Sequence, residues 1–198
     1  MDEIPGGALS NAAARIAEAQ RTPITTGYVR KDLDGREGYA AVIEANVHAP
    51  RLWRTFEVLV SALLPAVAAP IVGVFREEPV LGDYTTRDAA LAALQPYADA
   101  LTHDGFLEFG CIFQHAGRTD EVFVPSAKFI RIWTNAPDQA EDVLRSEGIP
   151  LMPDLRFVDE FPLVREAQPF DGQQSGWYAV VESLRGQFRQ LPDPPFDE

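Results

Sequence analysis

The chain has 198 residues, 46% of them hydrophobic, and its seventeen basic and thirty acidic side chains give a net charge of −13. That apolar content excludes a disordered chain. The length suits one domain that buries roughly 70% of its unfolded surface without disulfides or metals. The charge repels nucleic-acid phosphate and anionic lipid, so it argues against a DNA-binding or membrane-surface role and favours a basic protein partner. It would equally serve only to keep the chain soluble.

Cys111 is the single cysteine, which rules out an intramolecular disulfide and fits a reducing, cytoplasmic setting. Met1 leads into Asp-Glu-Ile-Pro-Gly-Gly, without the basic and apolar regions of a signal peptide. The longest apolar run, Val58 to Val74, is broken by Ser61, Pro65, Pro70 and Gly73 and is too short to span a bilayer.

In chain order, alanine-rich Ala8 to Gln20 predicts a short helix, with Pro5, Gly6 and Gly7 stopping it from extending backward. Ile24–Val29 and Tyr39–Val47 predict a hairpin around Asp34-Gly35, a strong turn dipeptide. Asp32-x-Asp34-Gly lacks the remaining ligands of a calcium loop and reads as a turn. Pro50 opens a helix over Arg51–Leu64 that places Leu52, Phe56, Leu59, Val60 and Leu63 on one side. Ile71–Phe75 predicts a short buried strand. Thr85 or Thr86 caps a following helix that reaches about Leu101, with Pro96 kinking or shortening it.

The densest strand signal runs from Asp104 to Trp133. Alternation over Phe106–Gln114 sets Leu107, Phe109, Cys111 and Phe113 on one face, and Glu108, Gly110, Ile112 and Gln114 on the other. His115 to Asp120 predicts a hairpin loop, Glu121–Val124 resumes the strand pattern and Pro125 breaks it. Lys128–Trp133 then predicts a strand with Phe129, Arg131 and Trp133 on one face and Lys128, Ile130 and Ile132 on the other. Asn135 is a candidate cap for a helix through Arg145, which Gly148 and Pro150 end. Leu155–Val158 predicts a last strand. Trp177, Val180, Val181, Leu184 and Phe188 share one face of a final helix, and residues 191–198 predict a flexible tail. The pattern implies a single α+β domain whose mostly antiparallel sheet carries helices mainly on one face. Its divisions are an N-terminal helical arm and hairpin start over residues 1–38, the α+β domain over 39–190, and the tail.

No catalytic motif stands out. There is no Gly-x-Ser-x-Gly, no phosphate-cradling Gly-x-x-x-x-Gly-Lys-Ser/Thr and no Gly-x-Gly-x-x-Gly. His48, His103, His115 and Cys111 lack metal-ligand spacing, so no metal and no cofactor is expected. Cys111 sits on an apolar strand face, as an inert buried thiol would. Glu108 and Glu121 could face each other across the hairpin like the paired carboxylates of a hydrolase, a spacing that any two strand acids share. Arg131 and Trp133 are either core-associated or aimed at a partner, for which both residue types are favoured. Asp154, Asp159, Glu160 and Glu166 form an acidic rim, either merely solvated or the place a basic partner would dock.

Phe106-Leu-Glu-Phe-Gly110, Glu121-Val-Phe-Val124, Ser126-Ala-Lys-Phe-Ile130, Ile132-Trp-Thr-Asn135 and Glu147-Gly-Ile-Pro150 together resemble, over residues 104–165, the small acidic immunity proteins of bacterial polymorphic-toxin systems. The resemblance implies a protein without enzymatic activity that binds a cognate toxin domain in the cytoplasm of the producing cell. Acidic and aromatic side chains would then occlude the toxin's active site. The alternatives are a secretion chaperone or adaptor that dimerises through an apolar helix face, and a hydrolase using Glu108 and Glu121.

Overall fold

The computed structural model describes residues 24–34, 38–160, 165–167 and 176–194, together with the helical positions Ala14 and Ala17. The rest of the expected Ala8–Gln20 helix, Gly35 of the first turn and the last four residues of the tail lie outside the described residues. The fold is a single α+β domain. Strands β1 (Gly27–Asp32), β2 (Ala41–Asn46), β3 (Val67–Val74), β4 (Val80–Leu81), β5 (Thr85–Thr86), β6 (Leu107–His115), β7 (Arg118–Val124) and β8 (Ile130–Thr134) form one sheet. Its order is β1-β2-β8-β7-β6-β3-β4, with β5 also on β3, and every pairing between these strands is antiparallel.

The alternation along β6 is realised as the residue pattern requires. Leu107, Phe109 and Cys111 are fully buried on the helix side, in register with Val122 and Val124 of β7 and, through Val122, with Ile132 of β8. Helix α1 (Ala49–Leu63) lies on this face and buries Leu52, Phe56, Leu59, Val60 and Leu63 against it. Phe56 meets Phe109 edge-on at 4.9 Å, and Trp53 stacks on Phe109 at 5.9 Å. Burying one such aromatic side chain contributes roughly 2–3 kcal/mol, so this cluster anchors the helix layer.

Helix α2 (Arg87–Leu94) starts where Thr86 Oγ1 accepts the Ala89 N–H at 3.2 Å. At Pro96 the helical path tightens into a 3₁₀ turn and continues as α3 (Ala98–His103). Helix α4 (Pro137–Ser146) packs beside α1, and α5 (Gly176–Phe188) buries Val180, Val181, Leu184 and Phe188. Gly148 ends the α4 segment with φ +68°.

Several local expectations are corrected. β3 begins at Val67 and runs through Pro70 instead of starting at Ile71. Pro70 is tolerated because its carbonyl accepts from Gly82 on the side away from β6, so its missing N–H costs the β3–β6 ladder nothing. The outer partner of β3 is consequently split into β4 and β5 on either side of that position. The expected loop over residues 115–120 shrinks to Ala116 and Gly117, both at positive φ, because β6 and β7 pair up to His115 and Arg118.

Asn135 does not cap α4. Its side-chain amide donates to the carbonyls of Gly38 and Thr119, each at 2.9 Å, and Thr134 Oγ1 accepts the Ala136 N–H instead. Leu155–Val158 forms no strand. Asn46 substitutes for a ladder there, donating to the Arg156 carbonyl and accepting from the Val158 N–H, and Val158–Glu160 closes as a 3₁₀ turn. The start of the tail is held, since Thr85 Oγ1 donates to the Pro192 carbonyl at 2.6 Å.

One buried polar knot joins β7, β8 and the entry to α4. The carboxylate of fully buried Asp120 accepts from Thr134 Oγ1 (3.1 Å), the Asn135 N–H (2.8 Å) and Arg118 Nε (2.5 Å). Replacing Asp120 with Ala strands two buried donors and should cost about 2–4 kcal/mol. Asp120→Asn keeps an acceptor for the inner two donors and loses only the pair with half-exposed Arg118, so it should cost about half as much. Urea denaturation of the two variants should rank them in that order.

Candidate functional site

The layer of helices leaves the other sheet face to carry Val29 of β1, Val42 and Glu44 of β2, Arg131 and Trp133 of β8, Glu121 and Phe123 of β7, and Glu108 and Ile112 of β6. This follows from the registers that pair Glu44 with Arg131, Val42 with Trp133, Phe123 with Arg131 and Glu121 with Trp133. Gly110 is needed here. A Cβ at that position would lie 2.9 Å from the Phe123 ring and 2.7 Å from the Val122 carbonyl, so only glycine lets Phe123 lie across the sheet.

Arg131 organises this face. Its Nε donates to Glu44 Oε1 at 2.6 Å, and its guanidinium lies 5.2 Å from the Phe129 ring and 5.7 Å from the Trp133 ring. The side chain retains 34% of its accessible surface and that of Glu44 retains 28%. The pair is thus partly desolvated, and the aromatic flanks add cation–π attraction of about 0.5–2 kcal/mol. Fixing the planar fork between two rings also removes rotamer entropy before any partner arrives.

Residues 150–160 cross this face at the end where β1 starts and β2 finishes. Tyr28 N–H donates to the Pro150 carbonyl, and Met152 N–H donates to the Tyr28 carbonyl. Leu155, Phe157 and Val158 bury themselves with Phe129 in a small cluster separate from the main core, with Phe129 and Phe157 at 5.7 Å. Asp154, Asp159 and Glu160 point out of this strap and are exposed. Glu160 Oε1 accepts the Phe157 N–H at 2.8 Å, which fixes the turn that presents them.

The sequence-derived surface therefore divides. Arg131 and Trp133 sit together, and Phe129 joins them through Phe157 to Asp154, Asp159 and Glu160. Glu166 is exposed on a separate described segment, residues 165–167. Its carbonyl accepts the Gly105 N–H at 2.9 Å, which places it beside the start of β6. Phe129 and Glu44 were not singled out from the sequence. A Phe two residues before an Arg on a strand was the available signal for the first, whereas the second needed the non-local β2–β8 register.

Glu108 and Glu121 lie on the same sheet face but do not face each other. Glu121 pairs with Ile112, four positions along β6 from Glu108, a separation of roughly 13 Å at the strand rise. Glu108 Oε1 instead accepts the Ser126 N–H at 3.1 Å. Burial between Trp133 and Ile112 pushes the Glu121 carboxyl up to about 7, and nearby Arg131 opposes that shift. Cys111 is fully buried, and burial raises its thiol far above the usual range. Among the described residues no three His, Cys, Asp or Glu side chains converge as a metal ion would require, and no helix is long and apolar enough to cross a membrane.

A third perturbed group lies in the turn between β7 and β8. Lys128 adopts φ +62° and turns its ammonium inward, donating to the carbonyls of Leu101 at 2.7 Å and Leu107 at 2.6 Å. It thereby ties the last turn of α3 to the start of β6. Burial lowers it to about 7, against the pull of Asp104 and Glu108. The expected strand parity of Lys128 is thus replaced by a left-handed turn whose side chain is spent on two carbonyls.

No protein-family model matches the chain, and neither does any curated protein or solved structure.

Glu121 and Lys128 give pH signatures of opposite sign. Below about 4.5, Glu121 is protonated in both the folded and the unfolded chain. Between about 4.5 and 7 only the folded chain keeps the proton, so stability falls as pH rises. Glu121→Gln should be nearly neutral at pH 4.5 and stabilising by about 1–3 kcal/mol at pH 8, measured by urea denaturation at both values. Lys128 loses its proton near 7 when folded and near 10.5 when unfolded, so stability should rise across that window. Lys128→Met should remove that rise and lower stability most at high pH, where it strands the two carbonyls without relieving a buried charge.

Proposed function

We propose that this chain is a protein-binding inhibitor, an immunity-type protein that neutralises a toxin domain by covering its active site in the cytoplasm of the producing cell. The observation that carries the reading is the continuity of the contacts from Arg131 to Phe129 and from Phe129 to Phe157. It joins the half-buried Arg131 guanidinium, through buried Phe129 and Phe157, to the strap on which Asp154, Asp159 and Glu160 are exposed, with Glu160 bonded to the Phe157 N–H. Such an arrangement supplies both parts of an inhibitory interface. Rigid aromatic and Arg anchors give residence time, and an acidic rim steers a basic partner and competes for the cations that line its active site. The net charge of −13 acts in the same direction.

Glu44 has a defined part in this reading. It holds Arg131 between its two rings in the free protein, so the anchor is presented in one geometry and little ordering entropy remains to be lost on binding. Occlusion of an active site by such a face requires no chemistry from the inhibitor.

The test is a binding and rescue experiment with the protein encoded next to this chain. That neighbour should be toxic when expressed alone and tolerated when co-expressed with this chain. Trp133→Ala and Arg131→Ala should each weaken binding by at least about thirtyfold, which corresponds to roughly 2 kcal/mol, chiefly through faster dissociation. The triple reversal Asp154→Lys, Asp159→Lys and Glu160→Lys should slow association and flatten its salt dependence. A neighbour that is harmless, or one bound equally well by all three variants, overturns the reading.

A further inference from the structure

Outside the sheet face, the described residues form a cleft of about 380 Å³ between α5 and the β4 edge, lined by Val80, Leu81, Gly82, Asp83, Arg185, Phe188 and Arg189. Its local charge is opposite to that of the chain as a whole. Arg185 and Arg189 stand about one helical turn apart at the end of α5, so both guanidinium groups serve the one cleft. The side chains of Arg189 and Asp83 form no hydrogen bond or ion pair with any described residue. The Arg185 pair with Glu182, at 2.7 Å, is an exposed contact three residues apart, which leaves the rest of its fork available.

The cleft also has an apolar wall. Phe188 is buried behind it, and Leu81 keeps 57% of its surface exposed. Gly82 shapes the floor, since a Cβ there would come within 2.9 Å of Pro70 and 3.1 Å of Phe188 and fill the space between strand edge and helix. A second cleft, between α1 and α2, is of similar size at about 420 Å³ but is lined by Glu57 and Asp88, with no basic group. Of these two clefts, the α5 cleft is thus the one that carries basic groups.

We propose that this cleft binds a small apolar zwitterion of the α-amino-acid class. Arg185 and Arg189 take the carboxylate, Asp83 takes the ammonium group, and the apolar side chain lies along Leu81 and Phe188. A guanidinium fork matches a carboxylate with two parallel hydrogen bonds, a geometry that a single lysine would not provide. Asp83 opposes a simple anion and favours a ligand that brings its own cation. The volume falls in the range of small-molecule sites and is too small for a folded partner. The site is separate from the Arg131 face and does not depend on the inhibitor reading.

The test is a titration of isotope-labelled full-length chain with L-leucine, hexanoate and inorganic phosphate, followed by amide chemical shifts. Leucine should give saturable shifts centred on Gly82, Asp83, Arg185, Phe188 and Arg189, and should bind more tightly than hexanoate. Arg189→Gln should weaken leucine by about tenfold, which is roughly 1.4 kcal/mol. Asp83→Asn should erase the preference for leucine over hexanoate. Because both substitutions are at exposed positions, their spectra elsewhere should stay unchanged. The proposal is overturned if leucine gives no saturable shift at these amides or if phosphate outcompetes it there. It is also overturned if leucine binding persists unchanged in the Arg185→Gln, Arg189→Gln double variant.

Discussion

The rest of the architecture depends on the contact of α1 with the middle of the sheet, where Phe56 meets Phe109 edge-on and Trp53 stacks over it. That contact commits one face of β6, β7 and β8 to the helices. Because side chains alternate along a strand, it simultaneously commits Arg131, Trp133, Glu121 and Phe123 to the opposite face. A one-residue slip in any of these registers would exchange the two sets and bury the arginine in place of Ile130 and Ile132. The core therefore determines where the candidate interface lies without contributing a residue to it.

The strap from Pro150 to Glu160 is what turns a bare sheet face into a defined surface. Apart from a bridge at Leu151 and the closing 3₁₀ turn it has no regular secondary structure, so it borrows backbone partners from Tyr28 and from the amide of Asn46. Its apolar side chains, Leu155, Phe157 and Val158, pack on Phe129 and form their own small core. The polar positions between them have nowhere to go but outward. An acidic rim beside an aromatic and guanidinium patch is thus a consequence of alternating burial in an irregular segment.

Both margins of the sheet are blunted against addition of a further strand. At one margin β1 carries Arg30, whose guanidinium is held by Asp32 (2.7 Å), Asp138 (2.7 Å) and Glu141 (3.0 Å), so a charged cluster covers the strand end. At the other, the partner of β3 is divided at Pro70 into two short pieces. Short, charged or proline-interrupted edges disfavour edge-to-edge association.

The sequence by itself determined the α+β class, the mostly antiparallel meander of β6, β7 and β8, the α1 face and the side of β8 on which Arg131 and Trp133 stand. All of these follow from local periodicity, and periodicity is a property of consecutive residues. It also marked Asp154, Asp159 and Glu160 as exposed acids, though not the turn in which Glu160 accepts the Phe157 N–H. Tertiary structure alone decided that Glu108 and Glu121 are offset along the hairpin and that Leu155–Val158 is a strap and not a strand. It likewise decided that Asn135 braces the Gly38 turn instead of capping α4, and that Lys128 turns inward. Each of these outcomes depends on which distant backbone groups are left needing a hydrogen bond once the strands have paired, and residue spacing along the chain carries no record of that. The α5 cleft belongs to the same category: its arginines and Asp83 are about a hundred positions apart and meet only because Phe188 and Gly82 pack together.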